Sequence, residues 1–179
     1  MSNAEMFSLD GKVAAAIGAG GVLAGAIAMG FAEAGADLAV IDVNADAARA
    51  RADCIRQMGR RAIAVQADAT SKADLTRALE ATLGELGRVD VLLNAAGINS
   101  GTPFFEITEE EWQRIIDVNL KSVFLACQVF GKEMVERGEG GSIINISSAS
   151  SGPPLSKVFT YSITKAGVNQ ITMFLAREF

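Results

Sequence analysis

The sequence lacks histidine altogether, and it has only one tyrosine, one tryptophan and two cysteines among 179 residues. Without histidine, acid–base catalysis by imidazole and His-containing metal sites are excluded. The acidic residues show no spacing typical of metal ligands, so we expect no metal site. Cys54 and Cys127 lie far apart in helical patterns, and we interpret them as small core residues of a reduced, cytoplasmic protein.

Long apolar runs and clusters of basic residues are also missing. The apolar runs are short and interrupted by glycine or charge, which excludes a membrane-spanning helix. The net charge is −5, so we expect neither nucleic acid nor an anionic membrane as a partner. Half of the residues are hydrophobic, and the length fits a single domain over residues 1–179.

Apolar runs that are typical of strands alternate with segments of helical spacing. Because these strands have no polar face, we expect a parallel sheet that helices cover on both sides. The fold class predicted is α/β, a doubly wound parallel sheet of the Rossmann type. The predicted strands are residues 12–17, 38–41, 62–66, 89–93 and 142–146. The predicted helices are residues 22–34, 44–58 and 71–86, a continuous helix over 108–134, and one around Tyr161.

A glycine-rich turn, Gly18-Ala19-Gly20-Gly21, follows the first predicted strand. Such a turn lets backbone N–H groups approach a pyrophosphate at the positive end of a helix. Gly18 and Gly20 match the first two glycines of the dinucleotide fingerprint, whereas Leu23 occupies the third position. Asp42 ends the next strand, where an acid binds the ribose 2′-OH and repels a 2′-phosphate. We therefore predict NAD rather than NADP, with a helix N-cap as the alternative role for Asp42.

Three residues near the end of the chain could move a proton to or from a carbinol oxygen. Tyr161 and Lys165 are four residues apart, so on a helix they share one face. A phenol ionises at pKa about 10, and a nearby ammonium stabilises the phenolate. Ser148, which follows the fifth strand thirteen residues before Tyr161, could hold the oxygen of an alcohol or ketone. A Gly-Pro-Pro turn over residues 152–154 lies between Ser148 and Tyr161. Alone, the Tyr161–Lys165 pair could be an ordinary helical pair.

These features together resemble the short-chain dehydrogenase/reductase family over nearly the whole chain. The resemblance implies that Tyr161 is the general acid/base, that Lys165 assists it and holds the nicotinamide ribose, and that Ser148, rather than Ser147, orients the substrate oxygen. It implies that Asn119 anchors a water in the proton relay, with a helix kink or a polar core residue as the alternative. The implied cofactor-binding residues are Gly18, Gly20, Gly21, Val22, Leu23, Asp42, Asp68, Ala69, Asn94, Ala95, Ala96, Gly97, Tyr161 and Lys165.

The sequence departs from the family pattern in two respects. In the glycine turn, Ile17 replaces threonine, and Val22 and Ala24 replace the second and third glycines; this form resembles a sugar-acid dehydrogenase branch. The chain also ends at Phe179, inside an amphipathic helix, and we expect it to be a C-terminally truncated member whose fifth strand is an exposed edge.

We expect an NAD-dependent oxidoreductase that interconverts a secondary alcohol and a ketone, with a sugar or sugar acid as a candidate substrate. A homo-oligomer, dimer or tetramer, is expected from the apolar residues of the helix that begins at Thr108. Two alternatives are a non-catalytic, truncated dinucleotide-binding fragment and an isomerase or dehydratase on the same scaffold.

Overall fold

A computed structural model describes residues 6–153 and 155–179, and in this part of the chain five parallel strands form one sheet. The strand order is β3-β2-β1-β4-β5, which places the first strand at the centre and β5 at an edge. This confirms the predicted doubly wound sheet. The strands are β1 (Val13–Ile17), β2 (Asp37–Asp42), β3 (Ala62–Gln66), β4 (Val91–Asn94) and β5 (Ser142–Asn145).

Helices cover both faces of this sheet. Alanine-rich faces of α1 and α2 pack on one side, through residues such as Ala28 and Ala52. The other face packs against α3, α5 and α6, through residues such as Leu75, Phe130 and Val168. The helices are α1 (Val22–Glu33), α2 (Ala45–Gln57), α3 (Lys72–Leu86), α4 (Glu109–Ile116), α5 (Ser122–Arg137) and α6 (Phe159–Glu178).

The predicted long helix is not continuous. A π-helical segment, Asp117–Lys121, separates α4 from α5, and it contains the fully buried Asn119. Thr108 caps the start of α4 as predicted, because its side chain accepts a hydrogen bond from the N–H of Glu111 at 3.2 Å. The apolar spacing continues through the π segment, so periodicity alone could not reveal the interruption.

Two further predictions need correction or lie outside the described residues. Cys54 is exposed, whereas Cys127 is buried. Helix α2 buries Ala48, Ala52 and Ile55, and Cys54, two residues beyond Ala52, falls on the opposite side of the helix. Of the predicted 152–154 turn, Pro154 lies outside the described residues.

Asp90 ties the amino-terminal end of the sheet together. Its buried carboxylate accepts a hydrogen bond from the Val13 N–H at 3.0 Å and from the Arg88 guanidinium at 2.8 and 2.6 Å. Lys12 and Arg137 lie within 4 Å of the same carboxylate. Burial by itself raises the pKa of Asp90, but Arg88 and the Val13 N–H together hold this pKa below its usual value.

We expect Asp90→Asn to lower the free energy of unfolding at pH 7 by about 1–3 kcal/mol, because Lys12, Arg88 and the largely buried Arg137 lose the anion that they share. The folded pKa of Asp90 lies below the unfolded value of about 3.9, so its stabilisation is present above that pH and is lost as pH falls through the folded pKa. The wild type should therefore lose more stability on acidification than the variant does. Urea unfolding at neutral and acidic pH measures both effects.

Asp46→Asn is the matched control for this prediction, since Asp46 is an exposed acid whose partner, Arg49, lies in the same helix. We expect this control to change the stability by no more than about 0.5 kcal/mol. Equal acid sensitivity of the wild type and Asp90→Asn would contradict the assigned role.

Candidate active site

The glycine turn joins β1 to α1 at the carboxyl end of the sheet. Gly18 has a φ of +81°, and a Cβ at this position would lie 2.8 Å from the backbone nitrogen of Ala96, so the site requires glycine. Helix α1 follows Gly21 with no side chain capping its first turn and no acidic residue in that turn. Its first N–H groups are therefore available to an anion such as a pyrophosphate.

Asp42 is held against this turn by two backbone hydrogen bonds. Its Oδ2 accepts from the Gly20 N–H and its Oδ1 accepts from the Asn44 N–H, each at 2.9 Å. A Cβ on Gly20 would lie 2.9 Å from Oδ2, so glycine at this position makes room for the carboxylate. Asn44 caps α2, with its side chain accepting from Asp46 and Ala47. The alternative interpretation of Asp42 as the helix N-cap is therefore wrong.

A cleft of about 1640 Å³ runs along the carboxyl ends of the strands. It brings together the glycine turn, the ends of β2 and β3, the loop after β4, and the start of α6. This is the region where a doubly wound sheet binds its ligand. The predicted site residues that line it are Gly18, Gly20, Gly21, Val22, Leu23, Asp42, Asp68, Ala69, Ala95, Ala96, Gly97, Tyr161 and Lys165.

The two positions where this chain replaces a glycine of the family pattern differ in their surroundings. Ala24 is 3 % exposed and packs between α1 and the sheet, so its methyl group is accommodated. Val22 is 89 % exposed and lines the cleft. Its side chain lies beside the N–H groups that would receive a pyrophosphate. Of the two replacements, Val22 is therefore the one with an exposed side chain at the cleft.

Tyr161 and Lys165 lie on one side of α6 and both face the cleft. The Lys165 Nζ is 5.5 Å from the centre of the Tyr161 ring and donates a hydrogen bond to the Ile146 carbonyl at 2.7 Å. Lys165 is 4 % exposed, and burial lowers its pKa. No carboxylate of the described residues lies within ion-pair distance of it. This ammonium is therefore placed to stabilise an anion formed in the cleft.

Asn119 connects the loop after β4 to α6. Its Oδ1 accepts from the Ile98 N–H and its Nδ2 donates to the Ile98 carbonyl, both at 2.8 Å. Nδ2 also donates to the Thr164 hydroxyl at 3.2 Å, and that hydroxyl donates to the Tyr161 carbonyl at 2.6 Å. Both alternatives, a helix irregularity and a polar core residue, thus describe its position. The water-anchoring role stays a prediction.

Asn94 and Ser148 do not line the cleft in the described part of the chain. The Asn94 amide donates to the Asn145 side chain at 2.8 Å and joins β4 to β5, so it supports the sheet and not the cleft surface. Ser148 caps a 3-10 turn, Ala149–Ser151, directly after β5. The Ser147 hydroxyl donates to the Lys165 carbonyl at 3.1 Å, and the Ser148 hydroxyl contacts Ser150. The choice of Ser148 over Ser147 as the serine that orients the substrate therefore stays a prediction.

Sequence reasoning missed several residues of this site. Trp112, Arg114 and Asp117 line the cleft, and Thr164 joins Asn119 to the Tyr161 backbone. Asn169 lies outside the described cleft lining but donates to the Ser151 hydroxyl in the turn after β5. It continues the Tyr161–Lys165 spacing by another four residues, so the polar series along α6 was a signal that could have identified it.

Known proteins resemble this chain over nearly its whole length. The family model described as short chain dehydrogenase matches residues 12–179. D-threitol dehydrogenase of Mycolicibacterium smegmatis is 37% identical over 177 residues, covering 96% of this chain and 66% of the relative. 2-Dehydro-3-deoxy-D-gluconate 5-dehydrogenase of Dickeya dadantii is 34% identical over 172 residues, covering 96% and 67%. The chain spans about two thirds of the length of the curated relatives it matches.

Solved structures share the fold. A short-chain type dehydrogenase/reductase from Mycobacterium marinum superposes with a TM-score of 0.95 at 36% identity, covering 99% of this chain and 73% of that one. A 7α-hydroxysteroid dehydrogenase complexed with NADH and 7-oxo glycochenodeoxycholic acid gives a TM-score of 0.87 at 35% identity, covering 96% and 66%. From its sequence, its sheet and the arrangement of its cleft, this chain belongs to the short-chain dehydrogenase family of oxidoreductases.

Proposed function

We propose that this chain acts as an NAD-dependent oxidoreductase that interconverts a secondary alcohol and a ketone, with Tyr161 as general acid/base. The observation that carries the proposal is the buried Lys165 ammonium beside the ring of the only tyrosine, in the same cleft as the glycine turn and Asp42.

The cleft residues fit a nicotinamide dinucleotide. Gly18 lets the turn lie against the Ala96 backbone at the edge of the cleft. The first turn of α1 offers N–H groups to a pyrophosphate, and Asp42 offers acceptors to ribose hydroxyls. Asp68 and Ala69 lie on the cleft surface at the end of β3, where we place the adenine. A bound nicotinamide would supply or accept the hydride.

The chain's own residues move the proton. Tyr161 donates its phenolic proton to the substrate oxygen when a ketone is reduced, and it takes that proton back when an alcohol is oxidised. Lys165 stabilises the phenolate through its charge. Ser148 holds the substrate oxygen by a hydrogen bond. Asn119 links the loop after β4 to the Tyr161 backbone through its hydrogen bonds to Ile98 and Thr164.

We propose a small polyhydroxylated substrate, a sugar or sugar acid. Support comes from the names of the relatives, which act on D-threitol and on 2-dehydro-3-deoxy-D-gluconate.

We also propose a homo-oligomer, because α5 and α6 expose large apolar side chains such as Phe124, Met173 and Phe174. The free thiols of Cys54 and Cys127 support a reducing, cytoplasmic setting. No helix among the described residues is long and apolar enough to cross a membrane.

A titration with NADH, and separately with NADPH, tests the cofactor part of the proposal. Trp112, the only tryptophan, lines the cleft, so its emission should be quenched by energy transfer to a bound reduced nicotinamide. We expect saturable binding with NADH preferred. Absence of binding to either cofactor, in a sample shown to be folded, would contradict the proposal.

Turnover is then assayed with NAD⁺ and a panel of secondary alcohols that includes D-threitol. Binding without turnover would favour the non-catalytic, dinucleotide-binding alternative.

A further inference from the structure

The turn that follows β5 is built from serine hydroxyls and backbone groups. The Ser148 Oγ accepts a hydrogen bond from the Ser150 N–H at 3.2 Å and lies 3.1 Å from the Ser150 hydroxyl. The Ser148 carbonyl accepts from the Ser151 N–H at 3.1 Å and from the Ser151 hydroxyl at 2.7 Å. The hydroxyl of Ser148 is thus held by Ser150, and its carbonyl is held by Ser151.

One side chain connects this turn to α6. The Asn169 Nδ2 donates to the Ser151 Oγ at 2.9 Å, and that hydroxyl in turn donates a hydrogen bond to the Ser148 carbonyl. Asn169 stands one turn of helix after Lys165 and two turns after Tyr161, so these three side chains lie on one side of α6. The bonds from Lys165 to Ile146 and from Ser147 to Lys165 fix the end of β5. Among the described residues, the bond from Asn169 to Ser151 is the side-chain hydrogen bond that joins α6 to the turn after Ser148.

We propose that Asn169 is a positioning residue that sets the location of the Ser148 hydroxyl relative to Tyr161, acting through Ser151. This inference rests on the proposed function, in which Ser148 holds the substrate oxygen and Tyr161 moves the proton. The amide donor occupies one lone pair of the Ser151 oxygen, and the hydroxyl proton is directed to the Ser148 carbonyl. Without the donor, the Ser151 hydroxyl is free to rotate and the turn loses its link to the helix that bears Tyr161.

The expected consequence is kinetic. A displacement of a substrate-orienting group by a fraction of an ångström to one ångström costs about 10- to 100-fold in rate. Asn169→Ala should lower kcat by this factor while the dissociation constant of NADH stays unchanged, because Asn169 does not line the cleft among the described residues. Asn169→Asp, which has nearly the same volume but no N–H donor, should behave as Asn169→Ala does.

A double-mutant cycle separates positioning from general destabilisation. In a Ser148→Ala background the hydroxyl that Asn169 positions is gone, so adding Asn169→Ala should reduce kcat no further. Gln170→Ala, the loss of an exposed amide one residue along α6, is the matched control and should retain full turnover. Thermal unfolding of each variant verifies that it is folded.

Three outcomes would overturn the inference: full turnover in Asn169→Ala, full turnover in Asn169→Asp, or the same loss of kcat with and without Ser148. If the wild-type chain turns over no member of the alcohol panel, the proposed function fails for this chain and the positioning is tested directly. Amide hydrogen exchange at Ser150 and Ser151 should then be faster in Asn169→Ala than in the wild type and in Gln170→Ala. Unchanged exchange rates would overturn the inference in that case.

Discussion

Tyr161→Phe should abolish turnover while leaving NADH binding intact. Removal of a general acid/base costs about 10²- to 10⁴-fold in kcat, and the chain has neither a histidine nor a second tyrosine that could replace it. The ring that packs near Lys165 is retained in phenylalanine, so the cleft keeps its shape. The measurement combines kcat in the alcohol panel with the Trp112 titration by NADH.

The neighbouring residue provides a control for this variant. The Ser162 hydroxyl is buried on the same turn of α6 and has no hydrogen-bond partner among the described residues, and Ser162 does not line the cleft there. Ser162→Ala therefore removes one hydroxyl from the same helix turn without touching the proposed proton path, and we expect full turnover. Full activity in Tyr161→Phe would eliminate Tyr161 as the acid/base and the proposed mechanism with it.

The sheet and the cleft could be predicted from sequence because their signals are local. A run such as Val13–Ile17, buried at every residue, is apolar because helices cover both of its faces, and the residue that follows a parallel strand must lie at the ligand edge. Gly18 and Asp42 are therefore found by position along the chain alone. The same reasoning places Tyr161 and Lys165 on one side of a helix.

Other features depend on contacts between distant segments, which no local pattern records. The π segment around Asn119 keeps the apolar spacing of its flanking helices, but the buried amide bonds with Ile98 and Thr164 exist only after the chain has folded. The role of Gly20 as space for the Asp42 carboxylate needs the two strands to be neighbours. Cys54 is exposed because the opposite face of α2 packs on the sheet. The sequence pattern around the two cysteines does not show which face of the helix is buried.

The preference between the two cofactors should depend on the charge of Asp42. Its two carboxylate oxygens each accept one backbone N–H, which fixes the group at the end of β2 with lone pairs still available toward the cleft. A carboxylate in this position binds ribose hydroxyls strongly and repels a 2′-phosphate. We therefore expect Asp42→Asn to weaken NADH binding by about 10-fold or more, the equivalent of one charge-assisted hydrogen bond.

In the same variant NADPH should bind at least as well as it does to the wild type, because the repulsion of its 2′-phosphate is removed. The ratio of the two dissociation constants, measured by the Trp112 titration, is the deciding quantity. Asp46→Asn removes an equal charge from the first turn of α2, outside the cleft lining of the described residues, and it should leave the ratio unchanged. If both variants shift the ratio equally, the preference arises from the overall charge of this region and not from a carboxylate placed at the ribose.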